Sequence, residues 1–392
     1  MKYPISILLA VSFIMIACQH TKVEYPTSWE VLNGYDKKMA EIIQKYHMPS
    51  MAALLIINGE TKYSNALGYR AINKTIEVKN TDKYHLGSIT KSFTAMLTLI
   101  LAEDPKVDIG LDSTIFDILY GELEIPEIYR DVTMRQLLSH SGGIQNSLDP
   151  DAKEYCYEGN PTDPDQRRAM ARDVLNMPRR SEKFYYSNFG YIVAGLMLET
   201  AASSGYGKKT TWEDLVRDKI FAPLGMDTAG FGPMAGPDKY DQPWGHVNDK
   251  AKALNPSGVS GTPENPPGMA SAGYIHVSLQ DMEAYIRMLL NLGAPLISEA
   301  SFKELTTPVA YQDPESPYGL GLYCYSSYLT GELILGHDGT NTKNYATMLV
   351  YPENGCALFV ATNWGADPGV EGASELKWIF FDVISKYTLS RK

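Results

Sequence analysis

Segments with the pattern of β-strands lie near the two ends of this chain, and this distribution constrains its fold more than any other feature. Near the N-terminal end, residues 51–57 and 61–69 flank Asn58-Gly59, a dipeptide that strongly favours a hairpin turn. Near the C-terminal end, strand patterns recur at 319–325, 332–335, 344–351 and 356–362. Because chain termini often meet in one domain, we expect one antiparallel sheet built from both ends.

Helical patterns occupy most of the chain between these strands and also lie on either side of them. Apolar residues recur three and four positions apart, as on one face of a helix. The predicted helices are 29–47, 88–102, 132–140, 167–177, 191–202, 212–221, 278–292 and 374–387. This order predicts an α+β fold, in which helices flank an antiparallel sheet that carries a largely helical insert. The predicted division is a sheet-containing α/β subdomain, 31–105 plus 268–392, and a mainly helical subdomain, 106–267.

The first 17 residues have the pattern of a secretory signal peptide. Lys2 precedes an apolar run at 5–17, which is too short to cross a bilayer because a spanning helix needs about 20 residues. The run ends in Ile16-Ala17-Cys18, which resembles a bacterial lipobox and implies a lipid on Cys18. We therefore expect a lipidated tether at 18–30 and an exported lipoprotein, anchored in the periplasm or cell envelope. The alternative is an ordinary signal peptide that contains a cysteine.

The charge balance limits the expected partners. Acidic residues outnumber basic ones 46 to 35, which gives a formal net charge of −11. Nucleic acids and anionic membrane surfaces both select basic faces, so no nucleic acid is expected, and membrane contact is expected only through the lipid. The common zinc signatures Cys-x-x-Cys and His-Glu-x-x-His do not occur, so no metal site is expected. A small-molecule substrate is the expected partner, and the oligomeric state stays open.

The first of three candidate motifs is Gly87-Ser88-Ile89-Thr90-Lys91, at the start of an apolar helix. Residues three apart share one face of a helix, so Lys91 can reach the Ser88 hydroxyl. A serine needs a base to act as a nucleophile, and a lysine serves as that base only where burial or nearby positive charge lowers its pKa. The alternative is a capping serine beside a surface lysine, because Ser-x-x-Lys is common by chance.

The second motif is Tyr186-Ser187-Asn188, between two helical patterns. A tyrosine hydroxyl near a lysine can carry a proton between a nucleophile and a leaving group. The Asn188 amide can donate and accept hydrogen bonds, so it can hold an ester or amide group. The alternative is a buried aromatic residue and a turn asparagine, and the chain has 26 tyrosines.

The third motif is His337-Asp338-Gly339, just after the predicted strand 332–335. A glycine at a strand edge lets another backbone approach, so an extended acyl substrate could lie there. The N–H of Thr340 could then complete an oxyanion hole with the N–H of Ser88. The alternative is a loop histidine and a turn glycine.

The order and spacing of these motifs resemble the serine β-lactamase and penicillin-binding protein family, in its class C-like and esterase-like branch. Further resemblances cover most of the remaining chain, at 137–143, 184–191, 223–226, 272–273 and 318–321. The resemblance implies a β-lactamase/transpeptidase-like fold and a covalent acyl-enzyme without metal or organic cofactor. In this family's scheme Ser88 is the nucleophile, Lys91 and Tyr186 form a coupled proton-transfer pair, and Asn188 holds the acyl side.

The third motif departs from the penicillin-recognising members, which usually carry Lys-Thr-Gly. His337 stands where they have a lysine facing a substrate carboxylate, and a histidine with a pKa of about 6.5 is mostly neutral at pH 7. Efficient β-lactam hydrolysis is therefore not expected, and the histidine form resembles esterases, peptidases and acyl transferases.

Several functions remain open at this point. The primary expectation is an esterase or D-peptidase. The alternatives are an acyltransferase that uses an alcohol or amine acceptor, a β-lactamase, and an acyl-binding sensor without turnover. An α/β-hydrolase is excluded because no Gly-x-Ser-x-Gly occurs.

Overall fold

The computed structural model describes Tyr25 and residues 31–147, 165–181, 183–236, 238–248, 252–254, 264–328 and 330–391. Its helices are α1 Gly34–Tyr46, α2 Thr90–Ala102, α3 Ile115–Leu119, α4 Met134–Leu138, α5 Gln166–Leu175, α6 Asn188–Tyr206, α7 Trp212–Val216, α8 Ala222–Leu224, α9 Ala270–Gly273, α10 Leu279–Leu290, α11 Glu299–Thr306 and α12 Asp367–Ser390. Its strands are β1 Ser50–Ile57, β2 Glu60–Gly68, β3 Tyr84–His85, β4 Gly230–Phe231, β5 His246–Val247, β6 Lys252–Ala253, β7 Ile275–Val277, β8 Ala310–Tyr311, β9 Pro317–Tyr318, β10 Tyr323–Ser326, β11 Leu333–Thr340, β12 Tyr345–Tyr351 and β13 Cys356–Thr362.

An antiparallel sheet joins the two ends of the chain. Its eight strands lie in the order β2-β1-β13-β12-β11-β10-β9-β8. The N-terminal strand β1 pairs with the last strand β13, with Met51 opposite Thr362. This pairing confirms the predicted sheet and the α+β class. The proposed division into two subdomains stays a prediction.

The hairpin at Asn58-Gly59 forms as predicted. Ile57 pairs with Glu60, and the two turn residues have φ angles of 52° and 74°. A two-residue turn with both φ angles positive matches the twist of the flanking strands, and Asn-Gly adopts it at low cost.

Helices cover both faces of the central strands. Ala52, Leu54 and Ile56 of β1 join a core with α2 and α10, whereas the alternate residues Met51 and Leu55 join a second core with α1 and α12. Successive side chains of a strand point to opposite faces, so β1 contributes to both cores. Among the helices that the structure describes, none has the length and apolar character required to cross a membrane.

The segment predicted as one strand at 319–325 is interrupted, and that prediction was wrong in its middle. β9 ends at Tyr318, β10 begins at Tyr323, and Leu320 and Leu322 between them are fully buried. Gly321 has a φ of 70°, and a Cβ there would lie 2.6 Å from the carbonyl oxygen of Lys91. The apolar pattern therefore reflects packing against α2 rather than strand pairing.

Several element boundaries also differ from the predictions, and two of these differences are informative. The C-terminal helix α12 begins at Asp367 instead of residue 374. Its first turns escaped prediction because Gly369 and Gly372 interrupt the apolar pattern, although both glycines allow close packing. A Cβ on Gly369 would lie 2.5 Å from the carbonyl oxygen of Trp364. Strand β11 continues to Thr340, so the third motif lies within a strand rather than just after one.

Candidate active site

Ser88 lies in a single 3-10 turn, Gly87–Ile89, that leads directly into α2. Two glycines allow this turn to touch the edge of β11. A Cβ on Gly87 would lie 2.3 Å from the backbone nitrogen of Thr340, and a Cβ on Gly339 would lie 2.0 Å from the carbonyl oxygen of Leu86. Larger residues at either glycine would push the two backbones apart, so the first and third motifs meet through glycine.

Lys91 is fully buried beside Ser88. Its Nζ lies 3.0 Å from Ser88 Oγ, 2.7 Å from Asn188 Oδ1 and 2.7 Å from the carbonyl oxygen of Ala272. Burial lowers the pKa of Lys91 well below its ordinary value. A neutral amine has two N–H groups and one lone pair. The two carbonyl-type oxygens can accept both N–H groups, which leaves the lone pair for the Ser88 hydroxyl.

Tyr186 completes this group of side chains. Its ring lies over Lys91 Nζ, with 4.9 Å between the nitrogen and the ring centroid. Burial raises the pKa of Tyr186, and a hydrogen bond with the Ser88 side chain partly opposes that rise. Burial thus favours the uncharged amine of Lys91 and the uncharged phenol of Tyr186 around one serine hydroxyl. Such a pair can accept a proton from Ser88 and pass one to a leaving group.

His140 holds the loop that carries Tyr186. Its Nδ1 accepts the Ser187 backbone N–H at 3.1 Å, and its carbonyl oxygen accepts the Tyr185 N–H at 2.8 Å. Its ring lies 4.2 Å from the ring of Tyr186, centroid to centroid. His140 belongs to the stretch 137–143 that carried part of the family resemblance, but the sequence alone assigned it no role.

Asn188 is the first residue of α6, which Ser187 caps by accepting the Gly190 N–H. Its Oδ1 accepts from Lys91, and its backbone N–H donates to Asn146 Oδ1 at 2.7 Å. Within the part of the chain that the structure describes, its side-chain NH₂ has no acceptor. That NH₂ is therefore available to a substrate carbonyl.

His337 is buried on β11. Its Nε2 lies 3.1 Å from the Tyr318 hydroxyl, and its Nδ1 lies 2.5 Å from the carbonyl oxygen of Asp338. Burial, with a further contribution from Lys91, lowers the pKa of His337 to about 4. His337 is therefore neutral at pH 7. The Asp338 side chain is exposed and lies 3.4 Å from Lys377 Nζ.

The edge of β11 is open beside Ser88. Strand β10 pairs with β11 only from Leu333 to Gly336. In the described residues no strand therefore pairs with His337–Thr340 on that side. The unpaired edge of β11 is therefore accessible to an extended substrate, as predicted for this position. It lies next to the backbone N–H groups of Ser88 and Thr340.

Two clefts meet at Ser88 and Thr340. The larger, about 430 Å³, is lined by Tyr186, Tyr323, His337 and Lys377, among others. The smaller, about 320 Å³, is lined by Asn188, Gly273 and Lys343, among others. A still larger cavity of about 850 Å³ beside Lys106 and Glu199 contains none of the three motifs. An acyl donor needs room on both sides of its scissile bond, so the paired clefts fit the chemistry better than the cavity beside Lys106.

Sequence reasoning missed several of these residues. Tyr318 lies in the stretch 318–321, which is part of the family resemblance and could have drawn attention to it. Tyr323, Lys343 and Lys377 belong to no motif. Cys18 lies outside the described residues. Among the described residues, no group of three or more His, Cys, Asp or Glu side chains could hold a metal ion.

Comparison with known proteins places the chain among related sequences and folds. A family model for beta-lactamases matches residues 35–378. Protein flp of Staphylococcus aureus (strain N315) is 23% identical over 334 residues, which cover 85% of this chain but only 63% of that relative. The chain thus spans less than two thirds of the length of this curated relative.

Two solved structures share the fold. A penicillin-binding protein homologue from Pyrococcus abyssi has a TM-score of 0.70 and 23% identity, with 88% of this chain and 76% of that chain covered. The D-amino acid amidase from Ochrobactrum anthropi SV3 has a TM-score of 0.65 and 20% identity, with 91% and 100% covered. These likenesses confirm the fold that the three motifs implied.

Proposed function

Because this chain belongs to the beta-lactamase family, we propose that it is a serine hydrolase that cleaves an ester or amide through a covalent acyl-enzyme on Ser88. The observation that carries the proposal is the 3.0 Å contact between Ser88 Oγ and the buried Nζ of Lys91. Burial favours the neutral amine, which can accept the serine proton. The likeness to a D-amino acid amidase supports an esterase or D-peptidase type of activity.

Acylation uses the residues in the following way. Ser88 Oγ attacks the carbonyl carbon of the substrate, and its proton passes to Lys91. The carbonyl oxygen becomes an oxyanion between the N–H groups of Ser88 and Thr340. The bond to the leaving group then breaks, and the leaving oxygen or nitrogen takes a proton from Tyr186, which Lys91 restores. Because Lys91 and Tyr186 share one proton network, their titrations are coupled.

Deacylation repeats these steps with water. Water attacks the ester carbonyl of the acyl-enzyme and gives a proton to the Lys91–Tyr186 pair. Collapse of the second tetrahedral intermediate releases the acid and returns a proton to Ser88 Oγ. No metal or organic cofactor enters either half of the reaction.

Mass spectrometry of the intact protein tests the proposal. Wild-type protein is incubated with p-nitrophenyl acetate, a D-alanine ester and benzylpenicillin, with and without an added alcohol or amine. A transient adduct that decays in water supports hydrolysis. An adduct that decays only with an added acceptor would identify an acyltransferase. An adduct that persists under all conditions would identify a sensor, and the absence of both an adduct and turnover with every donor would refute the acyl-enzyme.

We predict that the charge state of His337 determines which substrate charge the enzyme prefers on the leaving-group side. Because burial keeps this histidine neutral, neutral esters should react faster than β-lactams that carry a carboxylate. His337→Lys should shift the ratio of kcat/KM toward the carboxylate-bearing substrate by about tenfold. His337→Gln is the matched uncharged control. A wild-type enzyme that hydrolyses cephalosporins faster than simple esters would contradict this prediction.

We also propose that the protein is a lipoprotein outside the cytoplasm, anchored through Cys18. Two or three acyl chains on one cysteine suffice for stable anchoring. Cys18→Ala should abolish labelling by radioactive palmitate and processing at this site. A wild-type protein that takes up no label and is released by osmotic shock would instead have an ordinary signal peptide.

A further inference from the structure

Lys343 is the one charged residue among the described residues that line the smaller cleft. Its side chain is half-buried, and within the described residues its Nζ has no hydrogen-bond or ion-pair partner. The other described residues that line this cleft are uncharged. An ammonium group in such a place has lost part of its hydration without forming an ion pair within the described residues, which is unfavourable unless a ligand supplies the negative charge.

The backbone around Lys343 is fixed. Its N–H donates to Asn341 Oδ1 at 3.1 Å, and its carbonyl oxygen accepts the His246 N–H at 3.0 Å. The preceding residue, Thr342, has a φ of 69°, a left-handed conformation that is costly for a β-branched side chain. The loop between β11 and β12 therefore carries backbone strain at the point where it places Lys343 in the cleft wall.

The acidic side chain that attracts Lys343, Glu264, already contacts other groups. Glu264 is buried, and its Oε1 lies 3.1 Å from His85 Nε2 and accepts from Asn341 Nδ2 at 3.0 Å. Burial lowers the pKa of Lys343, and the attraction of Glu264 only opposes that effect. A carboxylate bound directly to Nζ would favour the charged form of the lysine.

The position of Tyr186 identifies which part of the substrate enters each cleft. Tyr186 lines the larger cleft and would protonate the leaving group, so the leaving group lies there. The acyl portion then extends past Asn188 into the smaller cleft. We propose that Lys343 binds a carboxylate on the acyl portion of the substrate, so that the preferred donors are esters or amides of acids with a second, free carboxylate. This inference rests on the proposed function.

Matched ester pairs test the inference. The pairs are p-nitrophenyl hydrogen adipate with p-nitrophenyl hexanoate, and p-nitrophenyl hydrogen pimelate with p-nitrophenyl heptanoate. Release of p-nitrophenolate gives the second-order rate constant of acylation, whether or not deacylation follows. Wild-type protein should react about tenfold faster with an anionic ester than with its neutral partner, as one charged hydrogen bond allows.

Substitutions at Lys343 separate the possible outcomes. Lys343→Met should bring the ratio of the anionic-ester rate constant to the neutral-ester rate constant close to one, and Lys343→Glu should invert this ratio. The neutral esters should keep their rates in both variants. Lys386→Met, which removes one exposed charge that does not line the cleft, should leave the ratio unchanged. Equal rates of wild-type protein on both members of each pair would overturn the inference and leave the proposed function standing. Failure of every ester together with failure to label Ser88 would overturn the proposed function itself.

Discussion

Ser88→Ala should abolish acylation by p-nitrophenyl esters and labelling by a fluorophosphonate. Loss of a covalent nucleophile reduces turnover by about four to six orders of magnitude, because the acyl bond is proposed to form on the oxygen that the substitution removes. The substitution removes one oxygen from a partly exposed residue in the turn before α2, so the fold should persist. Intact-mass spectrometry reads out the adduct, and circular dichroism reads out the fold.

The control for this experiment is a serine that lies outside the site. Ser204, exposed near the C-terminal end of α6, meets that need, and Ser204→Ala should label and react like the wild type. Peptide mapping should place the fluorophosphonate on Ser88. An adduct on Ser141 or Ser260 in the wild-type protein would contradict the assignment of the nucleophile.

Removal of either member of the proton-transfer pair should slow acylation by at least about 100-fold, the low end for general acid–base catalysis. Lys91→Met keeps the length of the side chain but removes the amine that contacts Ser88 Oγ, whereas Tyr186→Phe removes only the hydroxyl. The double variant should be little slower than the slower single variant, because the two groups act as one unit. Fully additive losses in stopped-flow acylation rates would show that they act independently.

The pH profile provides a second readout for Lys91. Only the neutral amine can accept the serine proton, so the acylation rate should rise with pH and level off at the pKa of Lys91. Because burial lowers that pKa well below 10.5, the plateau should be reached well below pH 10.5. A rate that keeps rising to pH 10.5 would mean that Lys91 titrates like an exposed lysine, and would contradict the role proposed for it.

Local patterns carried the sequence-based predictions that succeeded. The Asn58-Gly59 hairpin depends on the φ preferences of two adjacent residues, and α2 depends on an apolar repeat that begins beside Ser88. The Ser88–Lys91 contact follows from helical spacing alone. The pairing of the chain's two ends in one sheet was predicted from the order of the strand patterns, since each strand needs a neighbouring strand for its backbone hydrogen bonds.

Tertiary contacts decided the chemistry, because protonation depends on groups that are distant in sequence. The two oxygens that hold Lys91 Nζ come from Asn188 and Ala272, which lie 97 and 181 positions further along the chain. The pKa of His337 depends on its burial on β11 and on the distance to Lys91. Lys343 showed no motif at all, since its half-buried state arises only in the folded chain, where the β11–β12 loop lines the cleft beside Ser88. Residue type and spacing thus determined which groups could react, whereas desolvation and long-range hydrogen bonds decided which of them are neutral, charged or without a partner.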